Sequence, residues 1–235
     1  MTIPFAPMTR TPSWFPLVGH AISAEDIRRP PRVVLALLIA MAVVMAVGWV
    51  LPAADHERLM LALGSHLFSN GVLQPAHAYS LFTSWLAHSD ILHLLFNALW
   101  IVAFARAATA HLGALGFLAF FILTSAAGSF AGVAAHWGQP VTVVGASGAA
   151  FGLIGAGAYV LTQGSGVARK LGAMAGYVAV FMALNLGFAY VGGAAFGVEG
   201  SISWEAHAGG MAAGLVLFPI FAAWRAARTG PPDLS

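Results

Sequence analysis

From residue 33 to residue 51 the chain carries only apolar side chains and one glycine, with no charge, amide or hydroxyl. A helix over this run rises 1.5 Å per residue and crosses the ~30 Å hydrocarbon core of a bilayer, where backbone groups must bond within the segment. Further apolar stretches at 91–105, 115–135, 146–161, 171–191 and 206–224 predict six membrane-spanning helices in an all-α polytopic bundle. Composition agrees, because only 8% of residues are charged and 60% are hydrophobic, against about 25% charged in an ordinary soluble domain. A soluble globular enzyme is thereby excluded. Ten Lys and Arg scattered over 235 residues do not make a phosphate-reading stripe, so no nucleic-acid partner is expected. The absence of cysteine removes thiolate ligands, disulfides and a cysteine nucleophile.

The chain divides into a proline-rich tail over 1–32, a six-span domain over 33–225 and a short tail over 226–235. The tail has no apolar run suited to a secretory signal and is expected to be poorly ordered. Between the first two spans, residues 52–90 mix Tyr79, Trp85 and several Phe with polar groups, which suits a long interfacial loop rather than a separate domain. Orientation follows from the cations. With the N-terminus cytoplasmic, Arg10, Arg28, Arg29, Arg32, Arg106, Arg169, Lys170, Arg225 and Arg228 all fall inside and only Arg58 falls outside. Both termini are then cytoplasmic.

Polar side chains within the spans are costly in hydrocarbon and mark function or helix contact. They gather in three places. The second span opens with His88, Ser89, Asp90, His93 and Asn97, of which His93 and Asn97 are four apart and share a helical face. The fourth opens with Gly145, Ala146, Ser147 and Gly148, and the sixth with Glu205, Ala206, His207, Gly209 and Gly210. Counting back from the inner ends puts His93 about 20 Å, Ser147 about 21 Å and His207 about 27 Å along their helices, so all three lie in the outward half of the membrane. The fourth apolar run is short, so Ser147 should begin a helix below the surface, beside a water-filled cavity. Gly148, Gly152 and Ala156 on one span, and Gly210 and Gly214 on the other, form small-residue stripes that let the fourth and sixth helices approach closely. A serine hydroxyl needs a base within hydrogen-bond reach, and His207 supplies one if these helices pack. The backbone N–H of Ser147, with His93 and Asn97, offers donors to an oxyanion. The constellation reads as acyl transfer to water.

These residues resemble the rhomboid intramembrane serine protease family. The resemblance rests on His88, His93 and Asn97 at the family's second-span spacing, Gly145 to Gly148 as its Gly-x-Ser-Gly, and Ala206 and His207 followed by Gly209, Gly210 and Gly214. It runs from about residue 79 to residue 222. It implies a serine endopeptidase that cuts transmembrane protein substrates near the outer membrane boundary without a cofactor. By the family pattern Ser147 is the nucleophile and His207 its base, His93 and Asn97 line the oxyanion site, Phe151 packs on the catalytic histidine, and His88 is structural at the cavity mouth. The chain departs from many bacterial members in lacking an Arg around Tyr79 to Phe82 and a Glu around Ala107 to Thr109.

Other readings are weaker. His88 and His93 are five apart and off one face, with no carboxylate ligand beside them, so no metal is expected. Asp90 and Glu205 are unsuited as a third catalytic member, Glu205 because it points away from the His207 face, so a dyad is expected. The histidines at 20, 56, 66, 77, 111 and 136 are expected to be solvated. A transporter would show inverted repeats, which the first and last three spans do not. A silent client-binding relative would be expected to lack Ser147 or His207. Substrate is expected to enter between the second and fifth spans, past Tyr177, Phe181 and Phe188, under a glycine-rich loop over 192–203. The Ala-rich spans suggest a bacterial inner membrane.

Overall fold

The computed structural model describes residues 29–66, 68–69, 72–162, 166–187 and 203–229. Every predicted apolar stretch is helical over its described residues except at two ends, where Leu51 and Ala146 flank their helices. Helix α1 (Arg32–Val50) starts behind two prolines and stops before Pro52, which cannot continue it. It buries Val34, Leu37, Met41 and Met45 along one stripe, while Leu35, Ile39, Val43 and Val47 on its other faces stay exposed and equally apolar. That is the pattern of a helix between protein and lipid.

Helix α2 (Ala53–Leu63) follows at once and buries none of its side chains. The chain then forms a small antiparallel hairpin, β1 (Phe68–Ser69) with β2 (Val72–Leu73), the one departure from helix among the described elements. After a turn of helix, α3 (Ser80–Thr83), the loop is tied to the bundle through polar bonds. Ser65 and Val143 exchange two backbone bonds of 2.8 Å, Thr83 Oγ1 donates to the Leu63 carbonyl, and the Ser84 and Ser129 hydroxyls meet at 2.6 Å. Trp85 stands edge-on to Phe121 below them.

Helix α4 (Ile91–Ala135) is two arms, 91–112 and 114–135, broken at Gly113, whose φ of 70° with ψ of 172° is not helical. Each arm is about 33 Å long, enough for one crossing. Arg225 fills the break, since its Nη1 donates to the carbonyl of Ala110 at 2.5 Å, one of those a helix end leaves unbonded. Helix α5 (Ser147–Leu161) lies at the centre, with Ala149, Ala150, Leu153 and Ile154 almost wholly buried. Helix α6 (Val167–Gly187) is peripheral and buries only Tyr177 and Asn185. Helix α7 (Trp204–Thr229) is capped by Ser203, whose Oγ accepts from the Ala206 N–H, and runs beyond the predicted boundary at residue 225. By length and composition α1, α4, α6 and α7 can cross a membrane, and the molecule is a multi-pass helical membrane bundle.

The glycine stripes pack differently from the expectation. A Cβ on Gly210 or Gly214 would overlap the carbonyls of Gly148 and Gly152, so α7 does rest on the backbone of α5. The open sides of Gly148 and Gly152, however, face Gly128, Ser125 and Thr124 of the second arm of α4, and Gly155 is the α5 glycine turned to α7. Three helices therefore share the close crossing. A second correction concerns His111, which is not solvated. It is 5% exposed, tilts against Phe218 and bonds through Nδ1 to the Ala107 carbonyl four residues back. Residues 1–28 and 230–235 of the two tails, which include His20, together with Phe188 and all of the expected 192–203 loop except Ser203, lie outside the described residues.

Candidate active site

The first arm of α4 begins where it does because of Asp90. Its backbone is extended, and Oδ1 accepts the His93 N–H at 2.8 Å while Oδ2 accepts the Ser89 hydroxyl. Burial pushes the Asp90 carboxyl up, but these bonds outweigh it and hold the group below the usual carboxylate range. Asp90 is thus a helix cap, not a partner of His207. The cap puts His93 in the first turn and Asn97 one turn deeper, both lining a cavity of about 610 Å³. Asn97 is 3% exposed, and its Nδ2 has no hydrogen-bond partner among the described residues. Ser89 gives its one proton to Asp90, so at 3.1 Å it meets His93 Nδ1 as an acceptor.

Gly145 brings the other strand of chain to this face. Its φ of 108° belongs to the left-handed region that favours glycine, and a Cβ there would sit 2.5 Å from His93 Nε2. Its N–H donates to the Ser84 carbonyl, which fixes the approach. Ser147 is then the first residue of α5. No side chain caps this end, so the Ser147 N–H is among the donors that the helix cannot satisfy internally. Ser147, half-buried, lines the same cavity as His93, Asn97, Phe151 and His207.

One turn along α5, the Phe151 ring lies on the His207 ring with centroids 4.3 Å apart and planes inclined by 7°. The sequence places the two residues far apart in the chain, and the α5–α7 crossing at Gly210 and Gly214 stacks them. Gly148 lies inside this crossing and Gly145 beside His93. His88 is buried ahead of the helix, edge-on to His93 at 5.1 Å, with neither ring nitrogen partnered among the described residues. Burial, reinforced by His93, pushes its imidazole down to about 3, so it is uncharged. Glu205 accepts from Ser203 at 3.3 Å.

One site residue escaped the sequence reading. Asn185, 4% exposed on α6, places its Oδ1 against His207 Nδ1 and donates from Nδ2 to the Trp204 carbonyl at 3.3 Å. Its signal was the same as that of Asn97, an amide within an apolar stretch. Beside it, Phe181 packs edge-on to Trp100 and Phe104 of α4, and Tyr177 packs on Phe181, closing the gap between α4 and α6 with aromatic rings. Among the described residues no three His, Asp or Glu side chains gather as metal ligands.

None of the curated proteins compared matches the chain. A family model described as Rhomboid domain matches residues 75–224, more than half of the chain.

Proposed function

The chain belongs to the rhomboid family, and on that premise we propose that it is an intramembrane serine endopeptidase acting on transmembrane protein substrates. The observation that carries the reading is the cavity in which Ser147, opening α5, and His207, stacked on Phe151, face the buried donor of Asn97.

The chemistry follows from these groups. Ser147 Oγ attacks the scissile carbonyl carbon as its proton passes to His207. In this reading the resulting oxyanion accepts from the Ser147 N–H and from Asn97 Nδ2, which has no hydrogen-bond partner among the described residues. His93 Nδ1 faces an acceptor, so in the neutral ring that nitrogen carries the proton, and Nε2 donates only in the imidazolium form. The intermediate collapses, the C–N bond breaks, and His207 gives its proton to the departing amine. Water then attacks the acyl-serine, losing a proton to His207, and collapse returns that proton to Ser147. His88, buried behind His93, has a structural role in this reading.

The two arms of α4 with α1, α5, α6 and α7 make six crossings in this reading, with residues 52–90 as the interfacial loop. The cations support the orientation. Arg225 meets the end of the first α4 arm, Lys170 Nζ lies 4.3 Å over the Tyr159 ring, and Arg228 lies over Trp224. The Arg225 and Arg228 contacts are at the end of α7 remote from His207, about 27 Å or more along the helix, and Lys170 meets Tyr159 near the last residues of α5. In the orientation that the cations favour, the cavity opens on the outer side and both termini are cytoplasmic, and the Ala-rich spans suit a bacterial inner membrane. Substrate passes between α4 and α6, where the aromatic rings part.

The test is cleavage of a model transmembrane substrate by the detergent-solubilised protein, with covalent labelling of Ser147 by a fluorophosphonate. Both are expected without added metal, and both should vanish in Ser147→Ala. Labelling should also collapse in His207→Ala. A well-folded parent protein that neither cleaves nor labels would instead be a silent client-binding relative.

A further inference from the structure

The two bonds of Asn185 determine the protonation of His207. The Trp204 carbonyl can only accept, so the NH2 end of the amide faces it at 3.3 Å. The oxygen end therefore faces His207 Nδ1. An amide oxygen also only accepts, so Nδ1 must carry the ring proton, and Nε2 is the nitrogen with a free electron pair. Phe151 alone cannot do this. A parallel stack at 4.3 Å fixes the plane of the imidazole but leaves it free to turn within that plane, and it favours neither tautomer.

We infer that Asn185 is a positioning residue for His207, holding the imidazole in the tautomer and rotation that present Nε2 as the base. The inference rests on the reading of Ser147 and His207 as nucleophile and base. The bond persists through the proton cycle, because the imidazolium still donates from Nδ1 to the same oxygen. A neutral amide orients the ring without adding the charge stabilisation that a carboxylate would give.

The placement of Asn185 adds a consequence. Asn185 sits on α6, four residues beyond Phe181, which packs on Trp100 and Phe104. Any displacement of α6 that opens this aromatic contact also draws the amide away from α7. The base is aligned when α6 is docked and loses its alignment when α6 swings out, so proton transfer depends on closure of the same helix that admits substrate.

The test compares Asn185→Leu, which keeps the volume but offers no acceptor, with Asn185→Asp, which keeps an oxygen facing Nδ1. Both are made in the full chain and measured in detergent by fluorophosphonate labelling of Ser147, by kcat and KM on a transmembrane substrate, and by thermal unfolding. In Asn185→Leu, labelling and kcat should fall by about tenfold or more, with KM within about twofold of the parent. Asn185→Asp should label within about threefold of the parent, and this rescue is what a purely structural role would not give. Parental labelling in Asn185→Leu overturns the inference. Equal loss in a folded Asp variant does so as well, and that arm decides if the Leu variant fails to fold. A parent protein unlabelled at Ser147 brings down the proposed function itself, which the parental control separates from failure at Asn185 alone.

Discussion

Replacing Gly210 by alanine adds one methyl group where α7 crosses α5, and the structure leaves it no room. The new Cβ would overlap the Gly148 carbonyl oxygen and lie 2.7 Å from the carbonyl carbon and 2.9 Å from Cα. These are backbone atoms in a helix, so no side-chain rotation relieves the clash. Nor has α5 room to retreat, since on its other side the backbones of Gly148 and Gly128 already approach too closely for a Cβ on either. Restoring ordinary carbon contacts of about 3.5 Å therefore moves α7 outward by on the order of 1 Å. Overpacking of this kind costs about 1–3 kcal/mol, offset by about 0.5–1 kcal/mol from the better helix propensity of alanine. The catalytic effect should exceed the stability effect. His207 lies one turn before Gly210, and a displacement near 1 Å between reacting groups can cost about 10²-fold. Gly210→Ala should thus slow fluorophosphonate labelling of Ser147 by about 10- to 100-fold while its unfolding temperature drops only a few degrees. Gly176→Ala on α6, where a Cβ meets nothing within 4 Å, is the control and should label at the parental rate. A Gly210→Ala protein that also labels at the parental rate would refute the close crossing as the determinant of dyad geometry.

Three further outcomes are expected. Asn97→Ala should lower turnover by about 10²-fold or less with little change in KM, because in the proposed mechanism one oxyanion donor is lost while the Ser147 N–H remains; a loss as complete as that of Ser147→Ala, in a protein of unchanged melting temperature, would give Asn97 a larger role. Phe181→Ala should raise cleavage of a helical substrate, since it removes the ring packed on Trp100 and Phe104, and should leave labelling by a small inhibitor nearly unchanged; slower cleavage would argue against access between α4 and α6. Arg225→Ala should destabilise the fold by about 1–3 kcal/mol by leaving the carbonyls at the Gly113 break unbonded, a change visible in thermal unfolding and absent from the labelling rate at low temperature.

What the sequence determined by itself was one-dimensional. Continuous apolar runs of span length are helical in lipid, because only a helix satisfies a segment's backbone from within that segment, and the helices stand where those runs are. The spacing of His93 and Asn97 put both on one face and the glycines around Ser147 marked a helix start, so these three residues of the cavity were legible as candidates. Tertiary structure alone decided which face of each helix turns inward. In a soluble protein the apolar stripe answers that question. Here the outward faces are as apolar as the inward ones, as the exposed Leu35, Ile39 and Val43 beside the buried Leu37 and Met41 illustrate. The orientations of α5 and α7 depend instead on the shapes that small residues leave, which is why Gly148 and Gly152 turned out to face α4, why His111 lies inside, and why Asn185 reaches His207 from a helix that no motif marked. Such contacts join residues distant in the chain through packing of similar surfaces, and no local pattern encodes them.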